Sequence, residues 1–265
     1  METELFSSKE SLRANSDFLK EPTVSSPLAV RMRPKTLGQL LGQEHLLGEK
    51  KLLRRLILAD RLQSAIFYGP TGSGKTTLGY IIARMTHSHF IQINAVSSNS
   101  NELRKYIEQA KQQKKIKKDK RTIVFIDEIH RFNKAQQDIL MPSVEQGDII
   151  LIGATTHNPA FSLNGPLLSR SLIFELKPLT EAVIITIMKN ALADKKNGFG
   201  NTSINIDQKA IHHIARQSCG DARRALNALE IGILTTEPSQ RGIIDFTKSV
   251  AEECVQKKIV YYDQL

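Results

Sequence analysis

The 265-residue sequence has no tryptophan, only two cysteines, and no uninterrupted apolar run of the roughly eighteen residues that a spanning helix needs. A transmembrane segment is therefore not expected. The N-terminus, with Glu2, Glu4, Lys9 and Glu10, is too polar for a secretory signal. Cys219 and Cys254 lie far apart and lack thiol or imidazole partners at ligand spacing, which excludes a disulfide framework or a zinc site read from cysteine. His87 with His89, and His212 with His213, likewise lack carboxylate or thiolate partners at metal-ligand spacing. So few cysteines fit a reducing, intracellular compartment: cytoplasm or nucleoid in a bacterium, nucleus in a eukaryote. Acidic residues are in the minority, 27 against 37 lysines and arginines, giving a net charge of +10 and a pI near 9.6. That balance suits a polyanionic partner such as nucleic acid, because basic side chains on phosphates release counterions. The basic run from Lys111 to Arg121 is read more simply, as a solvated loop.

What is present is an ordinary globular composition, 40% hydrophobic and 24% charged, organised around one stretch. Gly69-Pro70-Thr71-Gly72-Ser73-Gly74-Lys75-Thr76 is the P-loop pattern. The apolar run Ser64–Tyr68 precedes it as a strand. Thr77 to Met85 follows as a helix with Leu78, Ile81, Ile82 and Met85 on one face. Glycines let the backbone wrap a polyphosphate with its N–H groups turned inward, and the helix N-terminus faces the same anion. Lys75 is expected to reach the β and γ phosphates and the Thr76 hydroxyl to ligate Mg2+, with Thr77 a lesser neighbour.

Phe90–Asn94 reads as a second strand, Ser100 to Gln112 as a helix, and Thr122–Asp127 as a buried strand closing on Asp127-Glu128. An apolar strand ending in two carboxylates is the Walker B pattern: Asp127 to hold Mg2+, Glu128 to orient and polarise the attacking water. Asn133 to Val144 is helical, and the strand Ile149–Ala154 runs into Thr155-Thr156-His157-Asn158, polar residues on the ligand-binding edge of an open sheet. Leu172–Leu176 is a fifth strand. Alternating strands and helices predict an α/β fold with a doubly wound, five-stranded parallel sheet.

From Thr180 the strands are expected to stop. Thr180 to Ala193, Asp207 to Gln217, Asp221 to Leu234 and Phe246 to Lys257 read as helices, capped by Thr180, Asp207, Asp221 and Asp245. The expected organisation is a disordered tail over 1–27, an α/β nucleotide-binding domain over 28–177, a small all-α lid over 178–240, and the start of a further helical region over 241–265.

Together these motifs resemble the AAA+ ATPases and, within them, the clamp-loader clade. Asp127-Glu128-Ile129-His130-Arg131-Phe132-Asn133-Lys134-Ala135-Gln136-Gln137-Asp138 is similar to the replication-associated recombination protein A and Werner helicase interacting protein family. Arg31-Met32-Arg33-Pro34, Gly42-Gln43-Glu44-His45-Leu46-Leu47-Gly48 and Gly220 to Glu230 support the match, which covers about residues 28 to 262. The resemblance implies a P-loop NTPase core with ATP and Mg2+. Arg170 would be an arginine finger acting on a neighbouring subunit, Arg223 the lid's sensor, and Thr155 or Thr156 the sensor that aligns the water with Glu128. Residues Arg33, Pro34, Leu41, Gly42 and Gln43 would flank the adenine. It further implies ATP hydrolysis in replication fork maintenance, recombination and repair. DNA junctions or ends would be the partner, stimulating turnover, with a homo-oligomer in the full-length form and a single-strand-binding protein or polymerase as candidate protein partners. A clamp-loader-type subunit, or a nucleotide-binding scaffold with little hydrolysis, would share the same residues. The family usually carries Cys where this chain has Ser171 and Glu where it has His157; neither position is expected to be catalytic. The family also continues into a C-terminal assembly domain, so the chain is expected to be a fragment or a shortened form.

Overall fold

The computed structural model describes residues 22–23, 25–86, 88–116 and 121–255. Most of the expected N-terminal tail, His87, positions 117–120 of the basic run and everything beyond 255 lie outside them. The chain divides into two compact units, one built on Pro34–Lys177, the other on Pro22–Arg33 with the chain from Pro178 onward.

The first unit contains strands β1 (Ala65–Tyr68), β2 (His89–Asn94), β3 (Thr122–Asp127), β4 (Ile150–Thr155) and β5 (Leu172–Glu175). They form one sheet in the order β2-β3-β4-β1-β5, with every neighbouring pair parallel, as the alternating pattern implies. A parallel sheet is covered on both faces, and the strands show it by splitting their apolar residues with period two. Ile123 and Phe125 of β3 join Ala65 and Phe67 of β1 in one core, with Leu78, Ile81 and Ile82 of the P-loop helix Lys75–Met85. Val124 and Ile126 face the other core, with Ile66, Ile91, Ile93 and the helices Ser100–Ile116 and Lys134–Glu145. Register brings Tyr68 beside Thr155 and Glu175, and Asn94 beside Asp127. The carboxyl ends of the strands thus share one edge of the sheet.

Helix Ser100–Ile116 runs further than expected and takes in the start of the basic run. Lysine and glutamine are good helix formers. Lys114 also anchors the last turn, donating to Gln146 O at 3.1 Å, Gly147 O at 3.0 Å and Asp148 Oδ1 at 2.9 Å.

The second unit packs helices Glu181–Ala193, Gln208–Gln217, Ala222–Thr235 and Lys248–Cys254 around Ile184, Met188, Ile211, Leu229 and Phe246. Strands do not stop at residue 180, however. β6 (Ile204–Ile206) and β7 (Ile244–Phe246) pair in parallel, and Asn205 Nδ2 donates to Asp245 Oδ1 across them at 2.8 Å. Asp245 is therefore a strand residue, not a helix cap. The cap moves to Thr247, whose hydroxyl accepts from Val250 N–H at 3.4 Å. The expected caps at Thr180, Asp207 and Asp221 are all present. Residues 28–33, expected with the sheet domain, belong here instead. Leu28 is fully buried in this core, its N–H donates to both Glu230 oxygens at 2.9 and 2.8 Å, and Arg31 donates to Glu230 Oε1 at 3.1 Å.

Candidate active site

β1 delivers the P-loop, and its glycines take the backbone values that the pattern requires. Gly69, Gly72 and Gly74 have φ of +148°, +66° and +104°, a region L side chains rarely adopt. At Gly69 the constraint is double, because a Cβ would lie 2.1 Å from Leu176 O, a backbone atom just past the neighbouring strand β5. Gly69→Ala is expected to lower stability by about 2 kcal/mol or more, read as a reduced urea midpoint with an unchanged slope.

Lys75 is buried, and its Nζ donates to Gly69 O and Pro70 O at 2.8 Å each. Ser73 Oγ donates to Pro70 O at 2.8 Å, which tightens the same turn. Outside the loop, Gln43 is buried and braces it: Nε2 donates to Ser73 O at 3.1 Å and to Lys177 O at 2.8 Å, while Oε1 accepts from Lys177 N–H at 3.1 Å. Leu41 and Gly42 are half-buried just before it. Pro70 and Thr71 form the exposed tip, and Thr77 is half-buried in the first turn of the helix.

The Walker residues meet at the sheet edge. Thr76 Oγ1 donates to Asp127 Oδ2 at 3.1 Å, so hydroxyl and carboxylate, hard oxygen donors of the kind Mg2+ prefers, stand side by side. The donor set fits that ion. Glu128 follows with φ +55° and ψ +42°, a left-handed backbone unusual for glutamate, and its half-exposed carboxylate turns back toward His130. Strain of this kind gathers at functional sites.

The two sensor candidates differ. Thr155 is fully buried at the end of β4; its Oγ1 lies 2.9 Å from His130 Nδ1 and accepts from His157 N–H at 3.0 Å. Thr156 is half-buried, and its hydroxyl makes no hydrogen bond among the described residues. Ser171, beside the finger candidate, has a buried hydroxyl without a hydrogen-bond partner among the described residues.

His130 is the residue that sequence reasoning passed over. It stands inside the quoted motif, but only the turn Ile129–Arg131 shows that a histidine two positions past the glutamate folds back onto it. Burial chiefly, then His157 and Arg131, lower its pKa below the ordinary 6.5. The neutral ring is thus favoured in the fold, whereas the unfolded chain takes up the proton as pH falls through 6.5. This contribution to stability is full above that value and is lost as pH drops toward the folded-state pKa. On acidification from about pH 7 to pH 5.5, the wild-type urea midpoint should fall more than that of His130→Phe.

Arg170 caps the short helix Gly165–Ser169 and holds Glu145 Oε1 at 2.8 Å, with Pro166 O and Ser169 Oγ accepting at 3.0 and 3.1 Å. Arg223 is exposed in the first turn of helix Ala222–Thr235, and Arg33 is half-buried; both belong to the second unit. Glu145 had no signal in the sequence, being one acid among many on a helix.

Residues 65–179 match the model of the ATPase family associated with various cellular activities (AAA), and residues 200–265 match the AAA C-terminal domain. Replication-associated recombination protein A of Bacillus subtilis (strain 168) is 43% identical over 238 residues, 90% of this chain and 55% of the relative. The chain belongs to the AAA ATPase family. Escherichia coli (strain K12) has a similar relative of this AAA ATPase, again replication-associated recombination protein A, 47% identical over 205 residues, 77% of this chain and 45% of the relative. Among solved structures, the AAA fold is shared with the Thermotoga maritima RuvB Holliday junction branch migration motor, at a TM-score of 0.65 and 28% identity over 84% of this chain and 72% of that one. The chain spans about half the length of the curated relatives it matches, 55% and 45% of these two. Family membership implies nucleotide binding.

Proposed function

We propose that this AAA ATPase hydrolyses ATP with Mg2+ and uses the turnover on DNA, in replication fork maintenance, recombination and repair. The observation that carries the reading is the Thr76–Asp127 pair, set beside buried Lys75 at the carboxyl edge of the sheet and followed by Glu128.

In this reading the P-loop N–H groups and the amino end of helix Lys75–Met85 cradle the β and γ phosphates. Lys75 exchanges its bonds to the loop carbonyls of Gly69 and Pro70 for bonds to phosphate oxygens, which are the stronger because both partners are charged. Thr76 and Asp127 hold Mg2+, which when bound neutralises charge on the triphosphate. Glu128 accepts a proton from the water that attacks the γ-phosphorus, and the Thr156 hydroxyl, with no hydrogen bond among the described residues, helps to hold that water. Arg170 from one protomer stabilises negative charge at the site of its neighbour in a homo-oligomer, and Arg223 is the second unit's sensor of nucleotide state. Leu41 and Gly42 flank the adenine.

The DNA part of the reading rests on the printed names of the relatives and on the net charge of +10. Junctions or ends of DNA are the proposed partner, with a single-strand-binding protein or a polymerase at the same fork, inside the cell wherever the chromosome lies. Among the described residues no helix is long and apolar enough to cross a membrane. Steady-state ATPase with and without forked DNA tests the DNA half. Stimulation of roughly fivefold or more, weakening steeply with added salt, is expected. Turnover indifferent to DNA even at low salt would remove the DNA role.

A further inference from the structure

His130 touches the proposed general base and the end of the neighbouring strand at once. Its side chain is 6% exposed, with Nδ1 3.3 Å from Glu128 Oε2 and 2.9 Å from Thr155 Oγ1. Its ring stacks on that of His157 at 4.0 Å between centroids and 16° between planes, and His157 N–H donates to the same Thr155 oxygen at 3.0 Å. The turn after β3 and the turn after β4 are therefore stitched together by one imidazole. The carboxylate settles which ring nitrogen carries the proton. Nδ1 makes its hydrogen bond to Thr155 Oγ1, and because a bare lone pair there would face the Glu128 carboxylate 3.3 Å away, the tautomer with the proton on Nδ1 is the one the carboxylate favours.

We propose that His130 is a positioning residue for ATP hydrolysis: anchored on Thr155, its imidazole edge draws the Glu128 carboxylate, 3.3 Å from Nδ1, to one place relative to the strand end that carries Thr155 and Thr156. The proposal rests on the hydrolysis reading above. Glu128 needs such a hold. Its side chain is 37% exposed on a left-handed backbone, and a free glutamate there would spread over several rotamers. A displacement of about 1 Å in a group that aligns the attacking water costs on the order of a hundredfold in rate. Thr155, bonded to His130 and to His157 N–H, ties the same imidazole to the residue just before Thr156. The stacked His157 ring fixes the orientation of His130 without touching the hydrogen bonds.

The test compares His130→Phe, which keeps the flat ring over His157, with His130→Asn, whose amide group can reach the place of Nδ1. His130→Phe should lower kcat by about ten- to a hundredfold while KM for ATP moves less than about threefold. His130→Asn should regain most of the loss. Unchanged kcat in His130→Phe, a rise in KM that accounts for the whole loss, or equal losses in two folded variants would overturn the proposal. A second readout is independent of turnover: the 15N resonance of His130 Nδ1 should report a protonated nitrogen that shifts in Glu128→Gln and in Thr155→Val. A resonance blind to both substitutions overturns the bridge. A wild-type chain without turnover defeats the hydrolysis reading, and the kinetic role with it, while the resonance still decides whether the bridge exists.

Discussion

Glu128→Gln is expected to keep ATP and lose turnover, with kcat reduced by about a hundred- to ten-thousandfold. Glutamine has almost the volume and polarity of glutamate and can keep the approach to His130, so the turn Ile129–Arg131 should be undisturbed. What the amide cannot do is take a proton from water. None of the groups proposed to hold the nucleotide depends on Glu128: Lys75 bonds the loop carbonyls, and Thr76 pairs with Asp127. Affinity measured by titration with a fluorescent ATP analogue should therefore change by no more than a few fold, a loss in the transition state rather than in binding. Weakened ATP binding with a proportionate loss of rate would assign Glu128 to the ground state instead.

The second large effect is expected at Arg170, where substitution by alanine should reduce kcat of the assembled protein by about a thousandfold or more. Within its own chain the guanidinium is 41% exposed and paired with Glu145 Oε1 at 2.8 Å. A pair so exposed is worth about 1 kcal/mol at most, so the arginine leaves it readily when a neighbouring γ-phosphate offers a stronger partner. Alanine at this position should thus hardly change stability. Action in trans has a sharper signature than inactivity. Arg170→Ala and Glu128→Gln, each inactive alone, should regain turnover when mixed, because one interface of a mixed assembly joins an intact Glu128 to an intact Arg170. No recovery in mixtures that do co-assemble would place the finger's effect elsewhere.

Much of the fold was legible because parallel strands and helix caps leave strong local marks. β3, with its apolar run Ile123–Ile126 closed by two acids, could hardly be read otherwise, and Thr180, Asp207 and Asp221 cap helices where the hydrophobic period begins. Asn133 does the same through a capping box with Gln136. The strands of the second unit were hidden because Ile204–Ile206 and Ile244–Phe246 are three residues each, too short for an alternation to stand out. Asp245 looked like a cap for the same reason that Thr247 is one: both precede an apolar stretch, and only the pairing with Asn205 separates them. The move of residues 28–33 to the second unit depends on Glu230, some two hundred positions away, and no local pattern carries such a contact.

The site divides in the same way. Lys75, Thr76, Asp127 and Glu128 are tied to a loop or a strand end, and their spacing announces them. Thr155 and Thr156 are adjacent in sequence and equal in chemistry. Only burial distinguishes them, one hydroxyl enclosed and bonded to His130, the other open. His157, which the resemblance treats as a neutral departure, stacks on the imidazole that reaches Glu128.

The most direct test of an ATP-hydrolysing site is steady-state phosphate release by the 265-residue chain in Mg2+ over a range of protein concentrations, with Glu128→Gln alongside. The account predicts a specific activity that rises with protein concentration as protomers share arginines, and that collapses in the variant. Tight ATP binding with negligible release at every concentration, indistinguishable from Glu128→Gln, would contradict it.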